Sequence, residues 1–197
     1  VIEKLRPVLE DANITRIGHN LKYDINVLRT HGIQLAAPMV DTMVASYVVD
    51  ATRSSHKLDA LALAFLGYTC RPIEELIGKK GPSQRAFDSV TLETATPYAA
   101  EDVDITFRLH DTLKPKIKAM HLENLFEDVE MPLVEVLAEL EYNGIRVDPD
   151  ELDRQREKLA ERIEQLKQEI SDEAPHDFSP DSPRQLAAAL FNKPDDD

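Results

Sequence analysis

The chain has 197 residues, of which 42% are hydrophobic and 30% charged, a balance typical of a globular protein with one sizeable core. Its formal net charge of −14 argues against a simple binder of duplex DNA, because such binders are usually basic. The sequence contains no apolar run of membrane-spanning length, no signal-peptide pattern and one cysteine, Cys70, which together predict a cytoplasmic protein without a disulfide framework.

The first predicted elements alternate between helices and short strands. Apolar spacing predicts helices over residues 2–11 and 21–31, with a β-rich segment at 14–18 between them. A second short strand at 39–41 leads into a helix over 42–50. Strands alternating with helices in this way favour an α/β fold.

Helices dominate the middle of the chain. One is predicted over 58–65, a short one over 72–77 within a loop-rich region, and a long one over 91–112. Pro97 lies inside the long helix, so we expect a kink or a helix restart there.

The last third of the sequence is also helical. An amphipathic helix is predicted over 121–143, and a charged helix over 149–172 has Asp148 as its N-cap and Pro149 at its first position. A short helix is expected to end near Phe191. The buried side of the 121–143 helix is predicted to consist of Leu125, Val129, Leu133, Val136, Leu137 and Leu140.

Three side chains suggest metal-assisted chemistry. Tyr98 and Asp102 are four residues apart, so in a helix they share one face, where a carboxylate can bind a cation and a phenol can orient water. The same spacing more often means a packed ring and a solvated acid. Asp24 follows the 14–18 strand, at the sheet edge where open α/β sheets bind ligands, and is either an ordinary helix-start acid or a second metal-site acid.

These acids lie in two longer segments, GHNLKYD at residues 18–24 and YAAED at residues 98–102. The two segments resemble the second and third exonuclease motifs of the 3′–5′ exonuclease domain in bacterial family A DNA polymerases. Residues 130–133 and 141–148 resemble that family's junction between the exonuclease and the polymerase thumb. The resemblance covers nearly the whole chain, and the junction is its more specific part.

The resemblance implies an α/β, ribonuclease H-like (DnaQ-type) exonuclease fold followed by a helical thumb segment. It assigns residues 1–120 to the exonuclease domain and 121–197 to the junction helix and the start of the thumb. The family's first motif, an Asp-x-Glu pair on an early strand, has no counterpart here. We therefore expect an N-terminally truncated fragment that is inactive alone and able to self-associate through unpaired sheet edges.

The resemblance also assigns roles at the metal site. Asp102 matches the acid that directly ligates the first of two Mg²⁺ or Mn²⁺ ions, and Asp24 matches the acid that holds the second, chiefly through water. Tyr98 matches the phenol that positions the attacking water. In this fragment we do not expect both ions to be fully bound.

Three further positions match residues that contact DNA in the family. Asn20 and Tyr23 resemble positions at the 3′-terminal nucleotides, and His19 stands at a phosphate-side position that more usually carries an amide. Asn20 is equally compatible with a helix N-cap, and Tyr23 with core packing.

The parent protein is therefore expected to be a DNA-directed DNA polymerase of replication and repair, cytoplasmic and nucleoid-associated, which proofreads single-stranded 3′ ends and extends primer–template DNA. Two alternatives stay open. One is an exonuclease-like scaffold in a non-editing family A polymerase, and the other is a stand-alone 3′ exoribonuclease resembling ribonuclease D. Asp24, Tyr98 and Asp102 favour an editing enzyme, whereas the junction at residues 130–148 argues against the exoribonuclease.

Overall fold

The computed structural model describes residues 2–174 and 176–191, which contain short parallel strands and a series of helices. The helices and strands in chain order are α1 (Ile2–Leu9), β1 (Arg16–Gly18), α2 (Leu21–Thr30), β2 (Met39–Asp41), α3 (Thr42–Val49), α4 (Leu58–Leu61), α5 (Glu74–Ile77), α6 (Leu92–Ala119), α7 (Met131–Asn143), α8 (Pro149–Glu173) and α9 (Pro183–Phe191). Helical turns of the π type at Ala62–Leu66 and Leu125–Glu130 extend α4 and precede α7, and a 3₁₀ turn lies at Phe87–Ser89. Within the described ranges, no helix is both long enough and apolar enough to cross a membrane.

Strands β1 and β2 pair in parallel, with α2 as the connection that a parallel pair requires. Both strands end at the same edge of the sheet, where Gly18 lies opposite Asp41. Helix α2 begins shortly after Gly18 and α3 directly after Asp41. The N-termini of two helices therefore meet at one edge, which becomes the base of the candidate site.

Helix α6 forms the centre of the hydrophobic core. Ile105, Leu109 and Leu113 recur every four residues along it and are at most 1% exposed. The helix packs against β1, α3 and α4, whose Leu61 is fully buried. This packing fixes the rotation of α6 about its axis and thus the direction of Tyr98, which lies nearer its N-terminus.

Helix α6 is longer than the sequence predicts. It runs without interruption from Leu92 to Ala119, so the chain does not restart at Pro97 and the predicted end near residue 112 is wrong. A kink at Pro97 stays a prediction. A proline removes one amide donor from a helix, and the buried stripe of α6 offsets that local loss. Tyr98 and Asp102 consequently lie on one continuous helix.

The apolar face of α7 also differs from the prediction. The six residues expected to be buried are between 38% and 60% exposed, whereas Phe126, Met131, Val134 and Ala138 are buried. The chain presents two apolar faces in this region, and packing against α2, β2 and α3 selects the second one. Periodicity alone could not decide between them.

The chain divides into two compact units, Val1–Gly144 and Ile145–Asp197. Helix α7 belongs to the first unit because it packs against α2. In the second unit, the Asp148 carboxylate accepts the amide of Glu151 at 3.2 Å and Pro149 opens α8, which confirms the predicted cap. The division into functional domains at residue 120 stays a prediction.

Candidate active site

A buried carboxylate organises the sheet edge from which the site is built. Asp41 is 1% exposed, and its Oδ1 accepts the amides of Asn20, Met43 and Val44 at 3.0, 2.8 and 3.3 Å. Its Oδ2 accepts the amide of Leu21 at 2.7 Å. One side chain thus satisfies unpaired N–H groups at the start of both α2 and α3.

Thr42 adds a second connection between the same two turns. Its buried hydroxyl donates to the carbonyl oxygen of Gly18 at 3.0 Å and lies 2.9 Å from Nδ1 of His19. A Cβ at Gly18 would lie 2.2 Å from a methyl carbon of the buried Leu21, so a larger residue there would displace that side chain. Burial lowers the pKa of His19, with Asp41 partly opposing the shift, so the imidazole is neutral at neutral pH.

The start of α2 presents two of the predicted DNA-contact side chains. Asn20 adopts a left-handed conformation (φ 63°, ψ 50°), and its side chain makes no capping bond because Asp41 supplies the cap from another segment. Tyr23 is 67% exposed, so the alternative of core packing is wrong. Both side chains line a shallow cavity of about 430 Å³, bordered by the ion pair of Lys22 and Glu141 at 2.6 Å.

Asp24 lies in the first turn of α2. The local burial of its carboxyl group, and next the negative charge of Asp41, raise its pKa. A helix N-terminus ordinarily favours a charged acid. At Asp24, burial and the charge of Asp41 outweigh that effect.

Tyr98 and Asp102 share a face of α6 and are both half-buried. Burial, and next the charge of Glu101, raise the pKa of Asp102. Burial and the neighbouring Asp102 likewise raise the pKa of Tyr98, so its phenol stays protonated at neutral pH. The ring of Phe87 lies 6.2 Å from that of Tyr98, centroid to centroid, and forms a wall beside it.

The segment between α4 and α5 forms another wall. Tyr68 donates its hydroxyl proton to Glu101 at 2.6 Å, and the amide of Arg71 donates to the same carboxylate at 2.8 Å. Cys70 lies between these tethers, and its thiol pKa is raised by burial and then by Glu101 and Asp102. The segment therefore lies next to Asp102.

The structure brings some of the predicted site residues together and not others. Tyr98 and Asp102 adjoin on α6, whereas Asp24 lies on α2, where the nearby charge that raises its pKa is that of Asp41. Within residues 2–174 and 176–191, no group of three or more histidine, cysteine or acidic side chains is arranged to hold a metal. Two carboxylates still suit Mg²⁺, which commonly uses one or two together with substrate oxygens and water.

The sequence assigns no site role to three residues that the structure places at the site: Asp41, Thr42 and Glu101. An aspartate just before a predicted helix is a recognisable N-cap, so the capping of α3 by Asp41 could have been found. Its capping of α2 could not, because it depends on strand register. Nothing in the local pattern around Glu101 indicates its contacts with Tyr68 and Arg71.

Comparison with known sequences identifies relatives over the whole chain. A family model described as 3′–5′ exonuclease matches residues 1–118. DNA polymerase I of Pseudomonas aeruginosa is 43% identical over 196 residues, which is 98% of this chain and 21% of that protein. DNA polymerase I of Rhizobium leguminosarum is 40% identical over 192 residues, again 98% of this chain and 19% of the relative. The chain thus spans about a fifth of the relatives it matches.

Solved structures show the same fold. The POL domain of Pol1 from M. smegmatis, in complex with DNA primer-template and dNTP, matches with a TM-score of 0.76 at 24% identity, covering 96% of this chain and 30% of that chain. Brucella melitensis NrnC with bound Mg²⁺ matches with a TM-score of 0.57 at 22% identity, covering 71% and 64%. These likenesses confirm the predicted α/β, ribonuclease H-like fold.

Proposed function

The chain belongs to the 3′–5′ exonuclease family, and from this premise we propose that it is the proofreading part of a DNA polymerase I that hydrolyses nucleotides from the 3′ end of DNA. The observation that carries the proposal is the pairing of Tyr98 and Asp102 on one face of α6, each half-buried. Such a pair, walled by Phe87 and the 68–71 segment, suits hydrolysis of a phosphodiester.

Asp102 and Asp24 are the proposed holders of divalent cations, two Mg²⁺ or Mn²⁺ ions in all. The raised pKa of each carboxyl supports this role, because a nearby cation offsets the cost of the charged form. A bound divalent ion supplies Lewis-acid polarisation of the phosphate and lowers the pKa of coordinated water. Mg²⁺ is bound in a solved structure of Brucella melitensis NrnC, which has the same fold.

Tyr98 orients the attacking water in this proposal. Its raised pKa keeps the phenol protonated, so the hydroxyl can both donate and accept a hydrogen bond at neutral pH. Its ring is held between the helix and Phe87, which limits where that hydroxyl can point.

The start of α2 is the proposed contact for the 3′-terminal nucleotides. Asn20 has a side chain free of capping duties, Tyr23 is exposed enough to stack on a base, and His19 lies beside them at the turn. The net charge of −14 means that affinity for DNA depends on bound cations and on other parts of the polymerase.

The wider assignments follow from the same premise. Residues 1–120 are the proposed exonuclease domain, and residues 121–197 are the proposed junction and start of the thumb. The parent polymerase is proposed to bind primer–template DNA in the bacterial cytoplasm, near the nucleoid. The described sheet consists of β1 and β2, and its outer edges support self-association of the 197-residue chain.

The experiment is a 3′-trimming assay on the full-length polymerase with a 5′-labelled single-stranded oligonucleotide and Mg²⁺. Wild type is expected to trim stepwise, and Asp102→Ala to lose roughly a thousandfold in rate, because several kcal/mol of transition-state stabilisation depend on a bound cation. Primer extension by the same variant serves as the control and should be unchanged.

Other outcomes identify the alternatives. Extension without trimming by wild type would mean a non-editing polymerase that keeps the domain as a scaffold. A strong preference for an RNA oligonucleotide would favour an exoribonuclease. The 197-residue chain alone is expected not to trim with Mn²⁺, because its described residues offer two site carboxylates and no group of three or more metal ligands. Trimming by this chain that is lost in Asp102→Ala would contradict this expectation.

A further inference from the structure

Glu101, which precedes the proposed metal-binding Asp102, holds a neighbouring segment against α6. Its carboxylate accepts the hydroxyl of Tyr68 at 2.6 Å and the backbone amide of Arg71 at 2.8 Å. Resting on the function proposed above, we propose that Glu101 is a positioning residue, which fixes the 68–71 segment as a wall of the exonuclease site.

A second tether lies about two helical turns further along α6. The guanidinium of Arg108 lies 5.8 Å from the ring centroid of Tyr68 and 3.6 Å from the Asp104 carboxylate. Tyr68 is thus held at its hydroxyl by Glu101 and at its ring by Arg108. Gly67, which precedes the segment, has a φ of 64° and ends the preceding π-helical turn. The contacts of Tyr68 and Arg71 with α6 define the segment's path across that helix.

The contacts of Glu101 with Tyr68 and Arg71, which we call the clamp, affect the site because Glu101 directly precedes Asp102 in α6. Glu101 and Asp102 are consecutive residues of α6, so their side chains diverge by about 100° around the axis. A segment that is bound to Glu101 is therefore also held at a fixed distance from Asp102. Cys70, in the middle of the segment, lies within electrostatic reach of both Asp102 and Tyr98. A loosened segment would leave the water and terminal phosphate less confined.

The first test uses Cys70, the only cysteine of the 197-residue chain, as a reporter of segment position. The rate of its reaction with an aromatic disulfide reagent is measured at one pH under native conditions. Burial, and next the charge of Glu101, raise the pKa of the Cys70 thiol, and Glu101→Ala and Glu101→Gln both remove that charge, so their rates are compared with each other. Glu101→Ala is expected to react roughly tenfold faster than Glu101→Gln, since local opening exposes the thiol. Tyr68→Phe, which removes one tether, should raise the wild-type rate by a smaller factor, and Glu93→Ala, at an exposed position in the first turn of α6, should leave it unchanged.

The second test measures trimming by the full-length polymerase carrying the same substitutions. Glu101→Ala is expected to lower kcat by roughly tenfold or more with KM for the oligonucleotide nearly unchanged, because small misplacements of a site wall act on the chemical step. Glu101→Gln keeps an acceptor oxygen for the segment and should recover most of the rate. Tyr68→Phe should lie between Glu101→Gln and Glu101→Ala.

The outcomes separate this inference from the proposed function. Faster Cys70 labelling in Glu101→Ala than in Glu101→Gln, with unchanged trimming, would show a clamp that does not serve the site and would overturn the inference alone. Equal labelling in Glu101→Ala and Glu101→Gln, with no change in Tyr68→Phe, would overturn the clamp itself. Loss of primer extension along with trimming in Glu101→Ala would indicate general unfolding of that variant. The trimming rate of Tyr68→Phe then tests the inference in its place. A wild-type polymerase without trimming would overturn the proposed function and this inference with it.

Discussion

Asp41 and Asp102 are both shielded from solvent, yet the fold treats the two carboxylates in opposite ways. Asp41 is 1% exposed and accepts four backbone amides at the ends of two helices. Asp102 is half-buried, and burial together with Glu101 raises its pKa. A carboxylate saturated by backbone N–H groups stabilises the fold, whereas one with an uncompensated charge is suited to binding a cation.

The largest expected effect on stability concerns Asp41. Asp41→Ala should lower the free energy of unfolding of the 197-residue chain by roughly 3 kcal/mol, since it leaves buried amides without an acceptor and removes two helix caps. Asp41→Asn, which keeps one acceptor oxygen, should cost about half as much. Urea unfolding followed by circular dichroism measures both. A loss below about 1 kcal/mol for Asp41→Ala would mean that Asp41 does not stabilise the fold more than Asp102 does.

Thr42 tests whether the link between the α2 start and the α3 start also depends on a second connection, besides Asp41. Thr42→Val keeps the shape of the side chain but removes the donor to Gly18 and the contact with His19, so a loss of about 1–2 kcal/mol is expected. Thr112→Val is the matched control, because that hydroxyl is exposed and bonds only within α6. Equal losses of unfolding free energy in the two variants would mean that the Thr42 contacts have no special role in joining α2 to α3.

Arg29 offers a weaker, surface link between α2 and α7. It forms an ion pair with Glu139 and lies 4.1 Å from the ring centroid of Tyr142. Arg29→Ala should lower the free energy of unfolding by less than Thr42→Val does, and high salt should reduce the difference from wild type. Lys4→Ala on α1 serves as the control. Urea titrations at low and high salt measure the effect, and a salt-independent loss would point to packing instead of charge.

The smallest expected effect belongs to the candidate site acids. Asp24→Asn and Asp102→Asn should leave stability at neutral pH equal or slightly higher, by under about 0.5 kcal/mol after solvent screening. A raised folded-state pKa means that these groups favour folding below their unfolded value near 3.8 and cease to do so as the pH rises through the folded value.

The sign of that pH dependence is measurable. Wild type should lose stability relative to the double variant Asp24→Asn/Asp102→Asn as the pH rises from about 4 toward neutrality. Unfolding curves at several pH values, recorded without divalent cations, test this. A difference that grows toward acid pH instead would mean that the two carboxylates are stabilised by the fold, as Asp41 is by its amide donors.

Local sequence rules predicted most of the elements but not their faces. The strands at 16–18 and 39–41 and the cap at Asp148 follow from β-branched residues, helical spacing and capping chemistry. The buried side of α7 does not, because two apolar stripes compete and only contact with α2 and its neighbours selects one. Likewise, the continuity of α6 through Pro97 depends on packing along its whole length.

The sequence by itself determined the family, the fold class and the candidate acids, because motifs such as GHNLKYD and YAAED place specific side chains at known points of a strand–helix pattern. Only the tertiary structure decided which groups Asp41 and Glu101 contact. The parallel register brings Gly18 opposite Asp41, which turns that aspartate into a shared cap. The route of the 68–71 segment brings Tyr68 onto Glu101. Both contacts join residues more than 15 positions apart, and no local pattern encodes which distant backbone groups a side chain will meet.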